Sequence, residues 1–241
     1  MIIKDFLFKL KTDLKSLRRY PAANLAIDSK PNYEKYWAVR RGANYRPVLS
    51  GWQKQRADFL IKMIEPGSTV VDLGCGDGLI LKYLAEKIGI KPIGVDFSAP
   101  VIDAANNEGI KIIEGDVSSV DFLKTLPECD YCLGLEILEH MAYPEEIVLI
   151  MAEKAKKGLI FSFPNTGYYL HRLRLLLGQF PLQWIIPPGE HLRYWTVRDV
   201  KYWVRSLGFK LDKLIVYEGL PGLKTIWPSM FAQGIIIKIS L

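Results

Sequence analysis

Cysteine is scarce: three thiols, Cys75, Cys129 and Cys132, in 241 residues. An odd and low count in a chain of this size does not suggest a disulfide framework and fits a reducing compartment. Cys129-x-x-Cys132 has no second pair to complete a metal site and straddles the start of an apolar run, so it reads as two small buried thiols. No stretch approaches the roughly 18 uncharged apolar residues that a membrane span needs. The N-terminal apolar stretch has no small-residue cleavage site after it, and the chain is expected to be cytoplasmic. Internal repeats and low-complexity tracts are absent. So are the usual nucleic-acid-binding modules, and the formal net charge of +6 therefore carries no expectation of nucleic acid as a partner.

What is present alternates. From residue 69 onward short β-branched runs exchange with helical stretches, the pattern of βαβ units around a parallel sheet, and the length suits one domain with appendages. Strands are expected at Thr69–Cys75, Lys91–Phe97, Ile110–Asp116, Asp130–Glu136 and Gly158–Pro164, then at Lys210–Tyr217 and Gln233–Ser240, the last closing the sheet edge. Helices are expected at Gly51–Ile64, Gly78–Ile88, Ser98–Asn107 and Pro144–Ala155, with a short turn near Val120–Thr125. Thr196 with Asp199 resembles a capping box opening a helix through Leu207. Ahead of the domain, residues 1–49 form a basic extension. There Ile3, Leu7, Leu10, Leu14 and Leu17 recur at helical spacing, and Lys9, Lys11, Lys15, Arg18 and Arg19 are followed by Arg40, Arg41 and Arg46. Such a helix covers its own domain or a homodimer partner, or lies on a membrane surface.

The strongest local signal is Val70-Val71-Asp72-Leu73-Gly74-Cys75-Gly76-Asp77-Gly78, a buried strand running into a glycine turn and a helix. Glycines there permit a tight turn and close approach of the backbone to a ligand. The dinucleotide fingerprint G-x-G-x-x-G needs its third glycine where Leu79 stands, and Asp72 and Asp77 would repel a pyrophosphate. A phosphate-free cation is favoured, and S-adenosylmethionine, with a sulfonium and an ammonium, is such a ligand. Asp96, with Phe97 after it, ends the next strand, where a carboxylate can accept hydrogen bonds from ribose hydroxyls. Asp116 with the Val117 N–H can meet an adenine edge, or Asp116 can cap a helix. Three acidic positions thus fall at the carboxyl ends of three consecutive strands, where open α/β sheets bind ligands.

These residues resemble the class I S-adenosylmethionine-dependent methyltransferases over roughly residues 50 to 241, and within them the MetW-like branch. The matching segments are Val71–Gly78, Glu114-Gly115-Asp116, Phe161-Ser162-Phe163-Pro164-Asn165 and His191-Leu192. The resemblance implies a Rossmann-like α/β three-layer sandwich, its seven-stranded sheet parallel except for the last strand. It implies that Asp72, Gly74, Cys75, Gly76 and Gly78 face the methionine moiety, Asp96 and Phe97 the ribose, Asp116 and Val117 the adenine, and Glu136 the methionine end. The function it implies is methyl transfer, at oxygen, to a small-molecule or glycan or lipid-linked acceptor. It also implies an alternative, a non-catalytic partner of a homoserine acyltransferase in methionine synthesis. Two features depart from the branch: the N-terminal extension, and the fourth-strand sequence Leu135-Glu136-Ile137-Leu138-Glu139-His140.

Glu136-x-x-Glu139-His140 resembles a group that holds a divalent metal in some methyltransferases, and carboxylates with one imidazole suit Mg²⁺ or Mn²⁺. The plainer reading assigns no metal ligands and leaves Glu139 and His140 to orient a loop. For proton removal from an acceptor hydroxyl the candidates are His140 and then His191, with Glu139 beside them. An apolar insertion over residues 165–190, including Tyr168, Tyr169, Leu175–Leu177, Phe180, Trp184, Ile185 and Ile186, follows the fifth strand. It is expected to cover the acceptor or to form a dimer surface.

Overall fold

Valine and leucine at Val70, Val71 and Leu73 suit a strand buried on both faces, and β1 (Thr69–Leu73) runs through the middle of the sheet with all three fully buried. The computed structural model describes residues 2–17, 48–99, 102, 105, 109–181 and 191–241. The basic positions Arg18, Arg19, Arg40, Arg41 and Arg46, most of the helix expected at Ser98–Asn107, and Trp184, Ile185 and Ile186 lie outside the described residues.

Parallel to β1 run β2 (Lys91–Asp96) on one side and β4 (Cys129–Leu135) on the other. The sheet continues to β3 (Ile112–Glu114), β5 (Ala155–Pro164), β6 (Leu211–Tyr217) and β7 (Gly234–Ser240) in the order β3-β2-β1-β4-β5-β7-β6. Only β7 opposes its neighbours, antiparallel to both β5 and β6. This corrects the expectation that the last strand closes the edge: β7 lies inside and β6 is the edge. The physical reason is composition. Ile235, Ile236, Ile237 and Ile239 are all fully buried and need cover on both faces. β6 carries the exposed Asp212 and Lys213, charges that suit a strand edge.

Residues adjacent in sequence point to opposite faces of a strand, and the core divides accordingly. Val71, Phe161, Ile235 and Ile237 join one cluster, and Val70, Ile160 and Ile236 the other. Helices cover both, which makes three layers. On the Val70 side lie α2 (Gly51–Leu60) and α3 (Leu79–Ile88). Ser50 and Gln53 form a capping box at the start of α2, a signal missed in the sequence, and the helix stops four residues short of the expected Ile64. On the other face lie α4 (Val120–Thr125), a true helix capped by Ser119 rather than a turn, and α5 (Pro144–Lys154). The helix α6 (Tyr169–Leu176) follows β5, and α7 (Val197–Ser206) opens on the expected Thr196–Asp199 capping box. Short α8 (Leu223–Ile226) and α9 (Pro228–Phe231) link β6 to β7.

The N-terminal segment is helical, α1 (Ile2–Ser16), and Asp13 ties it to α6: the Tyr168 and Tyr169 hydroxyls both donate to its Oδ2. It therefore packs on its own domain through a polar contact, and no described helix is long and apolar enough to cross a membrane.

Candidate active site

The carboxyl ends of β1, β2, β3, β4 and β5 all open on one edge, because the five strands run parallel. After β1 the chain turns through Gly74, Gly76 and Gly78, whose φ values of 65°, 58° and 70° belong to the left-handed region that favours glycine. The turn is held from β2: the Cys75 N–H donates to the Val95 carbonyl, and the Gly76 N–H donates to Asp96 Oδ2 at 3.0 Å. The Ser98 N–H donates to Asp96 Oδ1 at 3.0 Å. Asp96 thus braces the glycine turn as well as standing at its rim. Burial raises its pKa while these N–H donors oppose the rise. The Cys75 thiol is pushed up by burial, so it serves as a small packed side chain. Asp77 is buried, accepting from the Leu79 N–H.

An alanine Cβ at Gly74 would meet Ile137 Cδ1 at 2.7 Å, in addition to the left-handed φ. Gly74→Ala is expected to lower the unfolding free energy by about 2–3 kcal/mol, measured by urea denaturation.

Asp72, one residue before the end of β1, is 2% exposed, and its Oδ1 has no hydrogen-bond partner among the described residues. Burial raises its pKa to about 7; the Arg56 charge opposes the rise and the Asp96 charge adds to it. Arg56, on α2, is a candidate site residue that sequence reading did not single out. Its Nη1 lies 3.5 Å from Glu136 Oε1 and 3.3 Å from Ser162 Oγ, while its Nε finds no partner among the described residues. The signal was present: Arg56 stands four residues after Trp52 and four before Leu60, so a cation occupies the helix face that packs on the sheet.

Glu136 has a φ of 57° and turns toward this cation. Its Oε1 accepts from the Ser162 hydroxyl at 3.0 Å and from the buried Tyr217 hydroxyl at 2.8 Å. It belongs with Arg56 rather than with the other half of its motif, so the Glu-x-x-Glu-His grouping is split. Glu139 and His140 lie on the 3₁₀ turn Leu138–His140 and meet His191 instead, with ligand atoms all within 4.8 Å of one another. Backbone bonds deliver His191: the Leu192 N–H donates to the Glu139 carbonyl at 2.7 Å and the Arg193 N–H to the same oxygen at 3.0 Å. The two imidazoles stand edge to face, centroids 4.8 Å apart. Burial, aided by His140, lowers the His191 pKa to about 4 and keeps its ring neutral at physiological pH. Glu139 is 1% exposed.

Asp116 is exposed, and its Oδ1 accepts from the Ser118 N–H at 2.8 Å. Of the two sequence readings, the helix cap falls to Ser119 instead. Val117 is buried beside it, and Phe97 is half exposed at the end of β2.

This sheet, glycine turn and row of strand-end acids make up the Rossmann-like fold of class I S-adenosylmethionine-dependent methyltransferases. Among solved structures the chain is similar to an S-adenosylmethionine-dependent methyltransferase from Archaeoglobus fulgidus, with TM-score 0.62, 18% identity, and 88% of this chain and 100% of that one covered. It is also similar to the magnesium protoporphyrin IX methyltransferase of Synechocystis with bound S-adenosylhomocysteine, with TM-score 0.58, 19% identity, and 86% and 93% covered. The family model described as "Methionine biosynthesis protein MetW" matches residues 56–239, and the chain belongs to that family. Relatives named ubiquinone biosynthesis O-methyltransferase include that of Burkholderia thailandensis, 28% identical over 72% of this chain and 76% of its own length. Those of Candida albicans and Nitrosococcus oceani are each 26% identical, over 64% and 61% of this chain. The chain spans 50% and 66% of the lengths of these last two.

Proposed function

We propose that this protein binds S-adenosylmethionine at the glycine turn and transfers its methyl group to a hydroxyl of a small-molecule acceptor, which can be glycan- or lipid-linked. The observation that carries the reading is a pair of buried polar atoms of opposite charge, Asp72 Oδ1 and Arg56 Nε, that have no hydrogen-bond partner among the described residues. An amino-acid zwitterion matches both, its ammonium toward Asp72 and its carboxylate toward Arg56. A pyrophosphate would leave Asp72 opposed to a like charge. Asp96 would take the ribose hydroxyls, Phe97 would flank them, and Asp116 with Val117 would meet the adenine. The relatives' O-methyltransferase names support oxygen as the acceptor atom.

When bound, the cofactor supplies an electrophilic methyl group that an acceptor oxygen displaces in line. The chain's own work is alignment and removal of the hydroxyl proton. His140 and His191 are the proton acceptors of this reading, and the neutral state of His191 leaves a lone pair for the task. Glu139 balances the positive charge that results. The same three side chains could also hold a divalent cation, which would lower the acceptor hydroxyl's pKa; two imidazoles with one carboxylate favour Mn²⁺ over Mg²⁺.

The test is calorimetry of S-adenosylmethionine as a function of pH. Asp72 ionises near pH 7, and only its charged form attracts the ammonium. The dissociation constant is expected to fall about tenfold as pH rises from 6 to 7.5, with proton release on binding. In Asp72→Asn it stays weak and nearly flat over that range. Absence of binding at any pH would end the proposal. Binding without methyl transfer to hydroxylated aromatic and glycan probes would favour the acyltransferase-partner reading.

A further inference from the structure

The helix α1 presents its apolar stripe outward. Ile3, Leu7 and Leu14 are 74%, 57% and 47% exposed, while Asp13, on the edge of the same helix, is 4% exposed. An amphipathic helix that packed in the ordinary way would bury its leucines and expose its acid. Here the acid is the anchor, accepting from Tyr168 and Tyr169 and pairing with Lys9 at 3.1 Å. A second tie comes from α6, where Arg174, itself 3% exposed, donates from Nη1 to the Leu17 carbonyl at 3.0 Å and from Nε to the Phe180 carbonyl at 2.9 Å. Arg174 therefore joins the end of α1 to a second exposed apolar tip, in which Leu176 and Phe180 are 82% and 65% exposed.

Charge borders the apolar stripe. At 100° per residue Lys4, Lys11 and Lys15 fall together on the flank beyond Leu7, opposite the Asp13 edge, and all three are exposed. A groove of about 610 Å³ lined by Leu7, Leu10, Lys11, Leu14 and Lys15 runs along this flank. An apolar floor with a cationic rim fits an acyl chain beneath an anionic headgroup.

We infer that α1, fixed to α6 through Asp13 and Arg174, docks the protein on an anionic phospholipid bilayer, inserting Ile3, Leu7 and Leu14 while Lys4, Lys11 and Lys15 hold the headgroups. A second copy of the chain packed antiparallel across a two-fold axis would fill the apolar stripe but leave three lysines facing three lysines. The lysine flank therefore selects the bilayer.

The experiment is vesicle flotation of the full chain at low salt. The wild type is expected to float with vesicles of phosphatidylcholine and phosphatidylglycerol and to stay behind with phosphatidylcholine alone. Neutralising Lys4, Lys11 and Lys15 to glutamine weakens the partitioning about a hundredfold. Leu7→Asp with Leu14→Asp abolishes it, while affinity for S-adenosylhomocysteine and the circular dichroism spectrum stay as in wild type. Equal flotation with neutral vesicles, or wild-type flotation by both variants, overturns the inference. So does a dimer in size-exclusion chromatography that the leucine variant dissociates without any vesicle binding. The cofactor measurement is separate, so loss of one reading does not remove the other.

Discussion

Replacing Arg56 with leucine is expected to lower the unfolding free energy by about 2–3 kcal/mol, because it leaves the partly buried Glu136 carboxylate without its cation. Burial opposes the Arg56 charge, but Glu136, with Tyr217, Glu139 and Asp72 behind it, more than compensates, and the guanidinium stays charged. Its side chain is 11% exposed and that of Glu136 26%, so water can replace the cation only in part. Glu136 keeps the Ser162 and Tyr217 hydroxyls as donors, and hydroxyls cannot neutralise it. Pairing Arg56→Leu with Glu136→Gln should therefore recover about 1–3 kcal/mol of the loss, a coupling that a merely space-filling arginine would not produce. The single variant should also bind S-adenosylhomocysteine about ten- to a hundredfold more weakly, the worth of a charge-assisted hydrogen bond to the cofactor carboxylate. Urea denaturation of the four members of the cycle and calorimetry of the single variant measure both. Additive stabilities would show that Arg56 and Glu136 do not act as a pair, and wild-type affinity would remove Arg56 from the cofactor site.

That Arg56 escaped the sequence reading while Asp72, Asp96 and the glycines did not has a physical cause. Residues whose placement is written in backbone demand are legible one by one: glycines at positive φ at Gly74, Gly76 and Gly78, and acids at the ends of parallel strands. The two-residue alternation of Val70 and Val71, or Ile235 and Ile236, likewise announces a sheet covered on both faces. Pairing across the fold is not written locally. Glu136 and Glu139 look like one motif because they are three residues apart. Yet the left-handed backbone at Glu136 sends one carboxylate to Arg56 and leaves the other with His191. The order of β6 and β7 is similarly a matter of which strand carries enough apolar surface to be enclosed, and proximity to the chain end misleads. Asp13 runs against the general rule, since an acid on an amphipathic helix is ordinarily solvent-facing, and two tyrosine partners on a distant segment reverse that.

The second large effect belongs to Glu139. Glu139→Gln is expected to lower kcat by about a hundred- to a thousandfold while S-adenosylhomocysteine affinity changes less than about twofold, the signature of a residue used at the acceptor rather than at the cofactor. Glutamine has nearly the same shape, so a side chain 1% exposed keeps its packing. The carbonyl that receives the Leu192 and Arg193 N–H groups is untouched, and His191 stays in place. What disappears is the negative charge beside two imidazoles within 4.8 Å. If that charge supports a protonated histidine, the loss falls on proton transfer and is insensitive to chelators. If it completes a cation site, EDTA reduces wild-type activity, Mn²⁺ restores it, and the glutamine variant needs a higher Mn²⁺ concentration for half-maximal rate. The pH profile adds a constraint. With its pKa lowered to about 4, His191 is deprotonated throughout the neutral range, so its own titration should leave activity level between about pH 5.5 and 8. A limb inside that range in kcat, measured at saturating S-adenosylmethionine, would assign the proton to another group, while a kcat within a few fold of wild type in Glu139→Gln would place the whole cluster outside the chemistry.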